Sequence, residues 1–249
     1  MTAQPTPDLA GKTAVITGAF GAIGKAITAS LLAKGAHVVL LDRADAPENL
    51  RENPSVTCIK LDLSDRDAVA TAADEIKSRF RIVDILVNNA GILSNMKMDG
   101  TTLEEWHKVH AVNVDAAFLL SQAFLPGMRE KRWGRIVNVS SYAAKSGGLT
   151  AGTAYSVSKS ALIGLTFSIA RETAGDGVTS NAIAPAYVMS PMISEQLTEE
   201  QRQKQLAQIP VGRFCEPEEV AHTVEFLISP LAGFITGEVI DMNGGLHFD

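Results

Sequence analysis

Hydrophobic residues along this chain form short continuous runs that alternate with segments of helical periodicity. The runs HVVLL at 37–41 and RIVNV at 135–139 are apolar at most consecutive positions, which is typical of strands buried on both faces. Between such runs apolar residues recur every three or four positions, as at Ile23, Ile27 and Leu31, which predicts helices. The predicted strands are Thr13–Thr17, His37–Leu41, Val56–Leu61, Val83–Val87, Arg135–Val139, Val178–Ile183 and Glu238–Met242. The predicted helices span about Ile23–Lys34, Ser64–Phe80, Thr102–Phe124, Thr153–Thr173 and Glu218–Ser229.

This alternation predicts an α/β fold, a doubly wound, Rossmann-like parallel sheet of about seven strands with helices on both faces. We see no linker and no repeat, so residues 11–249 are expected to form a single catalytic domain preceded by a flexible arm at 1–10. The segment 188–213 breaks the pattern with scattered apolar residues, and Thr198 with Gln201 resembles a capping box. This segment is either a substrate lid or a surface excursion without a gating role.

Composition excludes several classes of partner. The net charge of −6 argues against nucleic acid, which calls for a basic face, and no apolar run is long enough to span a membrane. The two cysteines have no metal-type spacing and the chain shows no secretory signal, so we expect a cytoplasmic protein with reduced thiols. The five histidines do not cluster, so no metal site is predicted.

A glycine-rich turn follows the first predicted strand and opens the first predicted helix. Gly18 and Gly24 permit a tight turn with close approach of the backbone to a phosphate, and the helix beginning near Ile23 offers free N–H groups to a pyrophosphate. A plain tight turn is the competing interpretation. The strand before the turn and the helix after it favour dinucleotide binding.

Asp42 stands at the end of the second predicted strand. An acidic residue there accepts hydrogen bonds from the adenosine ribose and repels a 2′-phosphate, which favours NAD over NADP. The adjacent Arg43 weakens that preference, and an ordinary exposed acid is the alternative interpretation.

Several short motifs occur in a fixed order. They are TGAFGAIG at 17–24, NNAG at 88–91, NVSS at 138–141, YSVSK at 155–159, NAIAPA at 181–186 and IDMNGG at 240–245. Each motif alone is weak, but together, over nearly the whole length, the chain resembles the single-domain branch of the short-chain dehydrogenase/reductase family.

The resemblance implies which residues form the site. The implied cofactor contacts are Gly18, Gly21, Ile23, Gly24, Asp42, Asp62, Leu63, Asn89, Ala90, Gly91, Tyr155, Lys159, Val188 and Ser190. The implied catalytic residues are Asn113, which anchors a water in a proton relay, Ser141, which orients the substrate oxygen, Tyr155 and Lys159. The resemblance also implies a homotetramer, and a small-residue stripe at Ala161, Gly164 and Ser168 fits a helix interface.

The chain departs from the family pattern at three places. Ala22 stands where the family usually has Gly, and Pro185-Ala186 replaces the usual Pro-Gly. The stretch from Ser141 to Tyr155 is one residue longer than usual, which leaves open whether Ser140 or Ser141 faces the substrate, and we choose Ser141.

Tyr155 and Lys159 are four residues apart on a predicted helix and therefore share one face. A phenol with a pKa of about 10 is a poor base at neutral pH. A neighbouring ammonium favours the phenolate and suits the pair to proton transfer. Taken alone, such a pair would be an ordinary feature of a helix surface. The residues Leu93, Tyr142, Tyr187 and Met192 are expected near the substrate.

The sequence thus predicts an NAD(H)-dependent oxidoreductase that moves a hydride between the nicotinamide and a secondary alcohol or ketone, with Tyr155 as acid and base. The first alternative is a reductase of 3-oxoacyl thioesters, and relatives of that kind usually use NADPH. The second alternative is a nucleotide-binding sensor without catalysis. Sensors of that kind generally lose the tyrosine or lysine, and both residues are present here.

Overall fold

The computed structural model describes residues 9–190 and 198–248. Seven strands form one parallel sheet in the order β3-β2-β1-β4-β5-β6-β7, which confirms the predicted fold class. The strands are β1 (Thr13–Thr17), β2 (His37–Asp42), β3 (Val56–Lys60), β4 (Ile85–Asn88), β5 (Gly134–Val139), β6 (Val178–Pro185) and β7 (Val239–Met242). The α-helices are α1 (Ala22–Ala33), α2 (Glu48–Arg51), α3 (Arg66–Phe80), α4 (Leu103–His110), α5 (Ala116–Lys131), α6 (Ala143–Ser146), α7 (Thr153–Thr173), α8 (Glu199–Leu206) and α9 (Pro217–Ile228).

Two hydrophobic layers cover the two faces of the sheet. Successive strand residues point to opposite faces, so Ile16 packs with α1 and α9 while its neighbour Val15 packs with α3 and α5. Because both faces of each strand are covered by a hydrophobic layer, nearly every strand position is apolar. This explains the continuous apolar runs of the sequence.

The strand order reverses direction beside β1. Strand β1 pairs with β2 on one side and with β4 on the other, so the connections that follow these strands leave in opposite directions. A crevice opens at the carboxyl ends of strands at such a switch point and is the usual ligand site of open α/β sheets.

The N-terminal boundary differs from the prediction. Leu9 is fully buried against the layer that contains α1, and its amide donates to the Lys34 carbonyl at 3.0 Å. The ordered domain therefore includes Leu9, inside the arm predicted at 1–10, whose first eight residues lie outside the described part of the chain.

The predicted helix at about 102–124 is longer and less regular than expected. A continuous helical stretch runs from Leu103 to Lys131 and contains one π-helical segment, Ala111–Asp115. Helix α5 continues past Pro126, which is exposed, because the turn that follows buries Met128 in the core. The packing of this turn outweighs the hydrogen bond that proline cannot donate.

Candidate active site

The glycine loop lies at the switch point between β1 and α1. Gly18 has a φ of 62°, and a Cβ there would stand 2.8 Å from the Ala90 Cα. A Cβ at Gly24 would collide with the Gly18 carbonyl oxygen. Gly21 is the N-cap of α1 and Ile23 lies in its first turn, where N–H groups lack helical acceptors. The predicted phosphate loop therefore has the close backbone packing that such a site requires.

The loop after β4 packs against this glycine loop. The Asn89 side chain donates to the carbonyl oxygens of Thr17 and Gly18, each at 3.0 Å. The Thr17 hydroxyl accepts from the amides of Asn89 and Ala90, also at 3.0 Å. The sequence did not single out Thr17, although its hydroxyl joins the two loops that border the crevice.

Asp42 ends β2 beside the glycine loop. One carboxylate oxygen accepts from the Phe20 amide at 2.9 Å and the other accepts from the Ala44 amide at 3.0 Å. These bonds fix the carboxylate at the edge of the crevice, where an adenosine ribose would lie. The neighbouring Arg43 is exposed.

The remaining predicted cofactor residues lie at the carboxyl ends of other strands. Asp62 follows β3 and accepts from the amide and hydroxyl of Ser64, which lower the pKa of its carboxyl. Leu63 beside it is buried. Val188 forms an isolated parallel bridge with Cys215. Val188 and Ser190 both lie just beyond Pro185, where β6 ends.

Tyr155, Lys159 and Ser141 meet at the end of β5. The side chains of Ser141 and Tyr155 share a hydrogen bond, and the Lys159 Nζ lies 5.7 Å from the centre of the Tyr155 ring. The buried Lys159 amine donates to the Val139 carbonyl at 2.7 Å. A Cβ at Gly91 would stand 3.0 Å from Nζ, so glycine there leaves room for the amine.

Burial changes the acidity of both groups. It raises the pKa of the Tyr155 phenol, while the hydrogen bond from Ser141 lowers it. Burial lowers the pKa of the Lys159 amine from 10.5 to about 8. The ammonium form, which favours a phenolate beside it, therefore exists below about pH 8.

The two candidate serines point in different directions. Ser140 is buried and its hydroxyl donates to the Lys159 carbonyl of α7 at 2.7 Å. The Ser141 hydroxyl accepts from the Ala143 amide at 3.1 Å and lines the cavity beside Tyr155. Between Ser141 and Tyr155 the chain forms α6 and the loop that leads into α7 at Thr153.

Asn113 lies in the π-helical segment and is buried. Its side-chain oxygen accepts from the Ile92 amide at 2.8 Å, and its nitrogen donates to the Ile92 carbonyl and the Ser158 hydroxyl at 3.2 and 2.9 Å. Both amide hydrogens are therefore used by protein groups. In the structure the side chain positions the chain after β4 against α7, and its role in a water relay stays a prediction.

A cavity of about 390 Å³ opens beside Tyr155 and Ser141. Leu93, Tyr142 and Tyr187, which the sequence places near the substrate, line it, whereas Met192 lies outside the described residues. Gln205, from the predicted lid segment, also lines it. Further wall residues that the sequence did not indicate are Asn95, Ser146, Leu149 and Thr150. They come from loops and short helices without a motif, so no sequence signal distinguishes them.

Lys97 holds one rim of this cavity. Its Nζ donates to the carbonyl oxygens of Gly148 and Ala151, each at 2.6 Å, and reaches that of Leu149 at 3.4 Å. The Gly152 amide donates to the Ser94 carbonyl at 2.7 Å in the same place. The loop after β4 and the loop before α7 are thereby joined into one wall.

The predicted lid at 188–213 is only partly described, because residues 191–197 lie outside the described chain. In its described part Ile209 is buried, together with Phe214, against Tyr187, Met189 and Leu206, which gives this region a small core of its own. The left-handed turn that leads into it falls at Tyr187, with a φ of 51°, and not at Ala186, where the family has glycine.

Among the described residues, no group of three or more His, Cys, Asp or Glu side chains is placed to hold a metal ion. In the same part of the chain, no helix has the length and apolar character needed to cross a membrane.

Comparison with known proteins decides the family. A family model described as enoyl-(acyl carrier protein) reductase matches residues 18–247. The chain is 39% identical over 246 residues to the 3-oxoacyl-[acyl-carrier-protein] reductase FabG of Vibrio cholerae, covering 96% of this chain and 99% of that protein. It is 40% identical over 245 residues to the FabG of Aquifex aeolicus, covering 96% and 98%. The chain belongs to the short-chain dehydrogenase/reductase family.

Solved structures agree with this assignment. A Beutenbergia cavernae protein, described as a candidate NAD(P)-dependent gluconate 5-dehydrogenase with bound NADP at low occupancy, superposes with a TM-score of 0.90 at 38% identity, covering 97% of this chain and 99% of that one. A Brucella melitensis short-chain dehydrogenase/reductase, described as glucose/ribitol dehydrogenase, gives a TM-score of 0.88 at 32% identity, covering 98% and 100%.

As a member of this family the protein is an oxidoreductase of the NAD(P)-binding type. Its own residues fit such a cofactor, because the loop at Gly18 and Gly24 has no space for side chains and Asp42 stands fixed beside it. Glycine at position 91 leaves room for the Lys159 amine, which is a hydrogen-bond donor at the other end of the crevice.

Proposed function

We propose that this short-chain dehydrogenase/reductase interconverts a ketone and a secondary alcohol, with Tyr155 as the acid and base. The observation that carries this proposal is that Tyr155 and Ser141 share a hydrogen bond in the wall of one cavity, with the Lys159 Nζ 5.7 Å from the centre of the Tyr155 ring. The bound nicotinamide would supply the hydride acceptor or donor. The chain itself positions the substrate and moves the proton.

The proton-transfer chemistry follows from three side chains. Ser141 holds the substrate oxygen near the Tyr155 hydroxyl, which gives a proton to a ketone or takes one from an alcohol. The Lys159 ammonium stabilises the phenolate that forms when the proton is given. We propose that Asn113 positions the chain around these residues through Ile92 and Ser158.

For the substrate, the curated relatives support the first alternative, reduction of a 3-oxoacyl thioester, better than NAD(H)-dependent alcohol oxidation. We therefore propose a 3-oxoacyl thioester as the first substrate candidate. Acetoacetyl-CoA with NADPH and NADH, followed by absorbance of the reduced nicotinamide, tests it. Absence of turnover with either cofactor would remove this candidate.

Asp42 favours a second candidate, an NAD(H)-dependent dehydrogenase of a secondary alcohol. The carboxylate lies where its negative charge would repel the 2′-phosphate of NADP. The two solved structures are described as dehydrogenases of a sugar acid and of glucose or ribitol, which points to the same reaction class. A panel of secondary alcohols with NAD tests this candidate. If no ketone or alcohol is turned over, the sensor interpretation is favoured.

The cofactor preference depends on the charge at Asp42. The bound NADP of the Beutenbergia structure favours NADPH, whereas the charge of Asp42 favours NADH, and we propose that this carboxylate makes NADH the preferred cofactor. Asp42→Asn keeps an acceptor for the Phe20 amide and removes the charge. Repulsion between unit charges 4 Å apart is about 1–4 kcal/mol, so the ratio of kcat/KM for NADH to that for NADPH should fall at least roughly fivefold. The matched control Asp62→Asn should leave the ratio unchanged, and an unchanged ratio in Asp42→Asn would contradict the proposal.

We also propose the homotetramer that the family resemblance implies. Val157, Gly164 and Phe167 are exposed along one side of α7, and Phe118 is exposed on α5. A Cβ at Gly164 would meet nothing within 4 Å, so this side is open to a second helix. Light scattering at micromolar concentration should give the mass of four chains, and a monomer would remove the proposal.

A further inference from the structure

Three backbone carbonyl groups beside the substrate cavity converge on one cation. The oxygens of Gly148, Leu149 and Ala151 lie 2.6, 3.4 and 2.6 Å from the Lys97 Nζ. Among the described residues, no other donor reaches these three oxygens. An ammonium has three N–H donors and no acceptor, so Lys97 uses its whole hydrogen-bonding capacity on this loop.

The loop that carries these carbonyls depends on contacts with other segments. Gly147 and Gly148 have φ values of 70° and 78°, and two consecutive glycines leave the backbone free to adopt many conformations. At the far end of the loop, the Gly152 amide donates to the Ser94 carbonyl at 2.7 Å. A backbone contact therefore fixes the end next to α7, whereas the Lys97 ammonium fixes the part between the glycines and that end.

This middle part of the loop belongs to the wall of the substrate cavity. Leu149, Thr150 and Ala151 line the cavity together with Tyr155, whereas Lys97 is not one of the lining residues. A substrate bound beside Tyr155 would therefore contact a wall whose position depends on a cation outside the cavity.

Electrostatics explain why a lysine suits this place. Convergent carbonyl oxygens bring partial negative charges together, which is the arrangement with which proteins bind monovalent cations. Helix α7 begins at Thr153, directly after the loop, and the partial positive charge of its N-terminus weakens the hold on a cation from solution. A lysine supplies the cation on a covalent tether, so no ion has to be bound from solution.

From these observations we infer that Lys97 is a positioning residue for the substrate. Its ammonium takes the place of a bound monovalent cation and fixes residues 148–151 as one wall of the cavity. The inference rests on the proposed reaction at Tyr155. The competing role, in which Lys97 releases the carbonyls and binds a phosphate of the substrate, is an outcome of the test.

Lys97→Met tests the inference with two ketones that share the 3-oxobutanoyl group, acetoacetyl-CoA and ethyl acetoacetate, of which only the first carries phosphates. The variant should raise KM for both at least roughly tenfold, because hydrogen bonds from a charged group hold the wall. It should lower kcat less than roughly threefold, since the bond from the Ala143 amide to Ser141 remains. Lys77→Met, in an exposed ion pair with Asp74 on α3, is the matched control and should change neither constant.

Chemical rescue separates the cation from the rest of the side chain. Lys97→Ala lacks Cγ, Cδ, Cε and Nζ, and n-propylammonium supplies the same four atoms with three N–H donors. Added propylammonium should lower the KM of Lys97→Ala at least roughly threefold. Tetramethylammonium at the same concentration has the charge but no donor and should leave KM unchanged. Equal effects of the two cations would contradict the inference.

Hydrogen exchange measures the position of the wall without turnover. In Lys97→Met the amides of residues 148–151 should exchange at least roughly tenfold faster, because the loop opens more often when its carbonyls are released. The amides of α3 should exchange at the native rate, which shows that the variant is folded.

The contradicting outcomes separate the inference from the proposed reaction. An unchanged KM in Lys97→Met, or unchanged exchange at 148–151, would overturn the inference. A loss confined to acetoacetyl-CoA would also overturn it, since Lys97 would then be a phosphate ligand. If the protein turns over only an alcohol, the same KM comparison is made with that alcohol. Absence of Tyr155-dependent turnover of any ketone or alcohol would remove the proposed reaction, and exchange alone would then decide whether Lys97 fixes the loop.

Discussion

Tyr155→Phe is expected to lower kcat/KM by about 10²- to 10⁴-fold and to leave NADH binding nearly unchanged. General acid–base catalysis by one positioned group contributes about this much, and phenylalanine keeps the ring while removing the only group that exchanges a proton. The ring contact with Lys159 persists, so the cofactor side of the crevice keeps its shape. Steady-state kinetics with the best substrate and a fluorescence titration with NADH measure the two effects separately.

Tyr142→Phe is the matched control for this variant. Tyr142 lines the same cavity, but its ring lies beside His247. The loss of its hydroxyl removes at most one substrate contact, worth about 0.5–1.5 kcal/mol, so kcat/KM should fall less than roughly tenfold. Undiminished turnover in Tyr155→Phe, or an equal loss in both variants, would show that Tyr155 is not the proton donor.

Gly24→Ala is expected to weaken dinucleotide binding strongly, whereas Gly175→Ala, in the turn after α7 and away from the glycine loop, is tolerated. A Cβ at position 24 would collide with the Gly18 carbonyl oxygen and stand 2.8 Å from the Ala19 Cα, and backbone atoms cannot move aside as a side chain can. Relief requires displacement of the loop that faces the diphosphate. Overpacking of this kind costs about 1–3 kcal/mol, or roughly 5- to 150-fold in the Kd of NADH.

Gly175 provides the control because the added methyl there has space. Its Cβ would meet nothing within 4 Å, and its φ lies outside the left-handed region, so alanine is accommodated there without strain. Calorimetric titration with NADH gives the Kd of both variants, and thermal unfolding shows whether strain also lowers stability. Similar affinity in both variants would mean that the loop adapts and that its close packing does not matter for binding.

The order of strands and helices could be predicted from local patterns. Strands buried on both faces must be apolar at nearly every position, and helices repeat their apolar positions every three or four residues, so the chain itself carries this information. The glycine turn and the tyrosine–lysine spacing are likewise local. Boundaries that depend on distant packing could not be predicted, as the burial of Leu9 and the helix beyond Pro126 show.

The sequence by itself determined the α/β class, the family and the pair Tyr155 and Lys159, because these depend on periodicity and on residues close together in the chain. Only the tertiary structure decided that Ser141 and not Ser140 faces the cavity, since consecutive residues at a strand end point to opposite sides. It also brought Ser146 and Gln205 into the lining of one cavity and lowered the pKa of Lys159 through burial. These features arise from contacts between segments far apart in sequence, and no local pattern records such contacts.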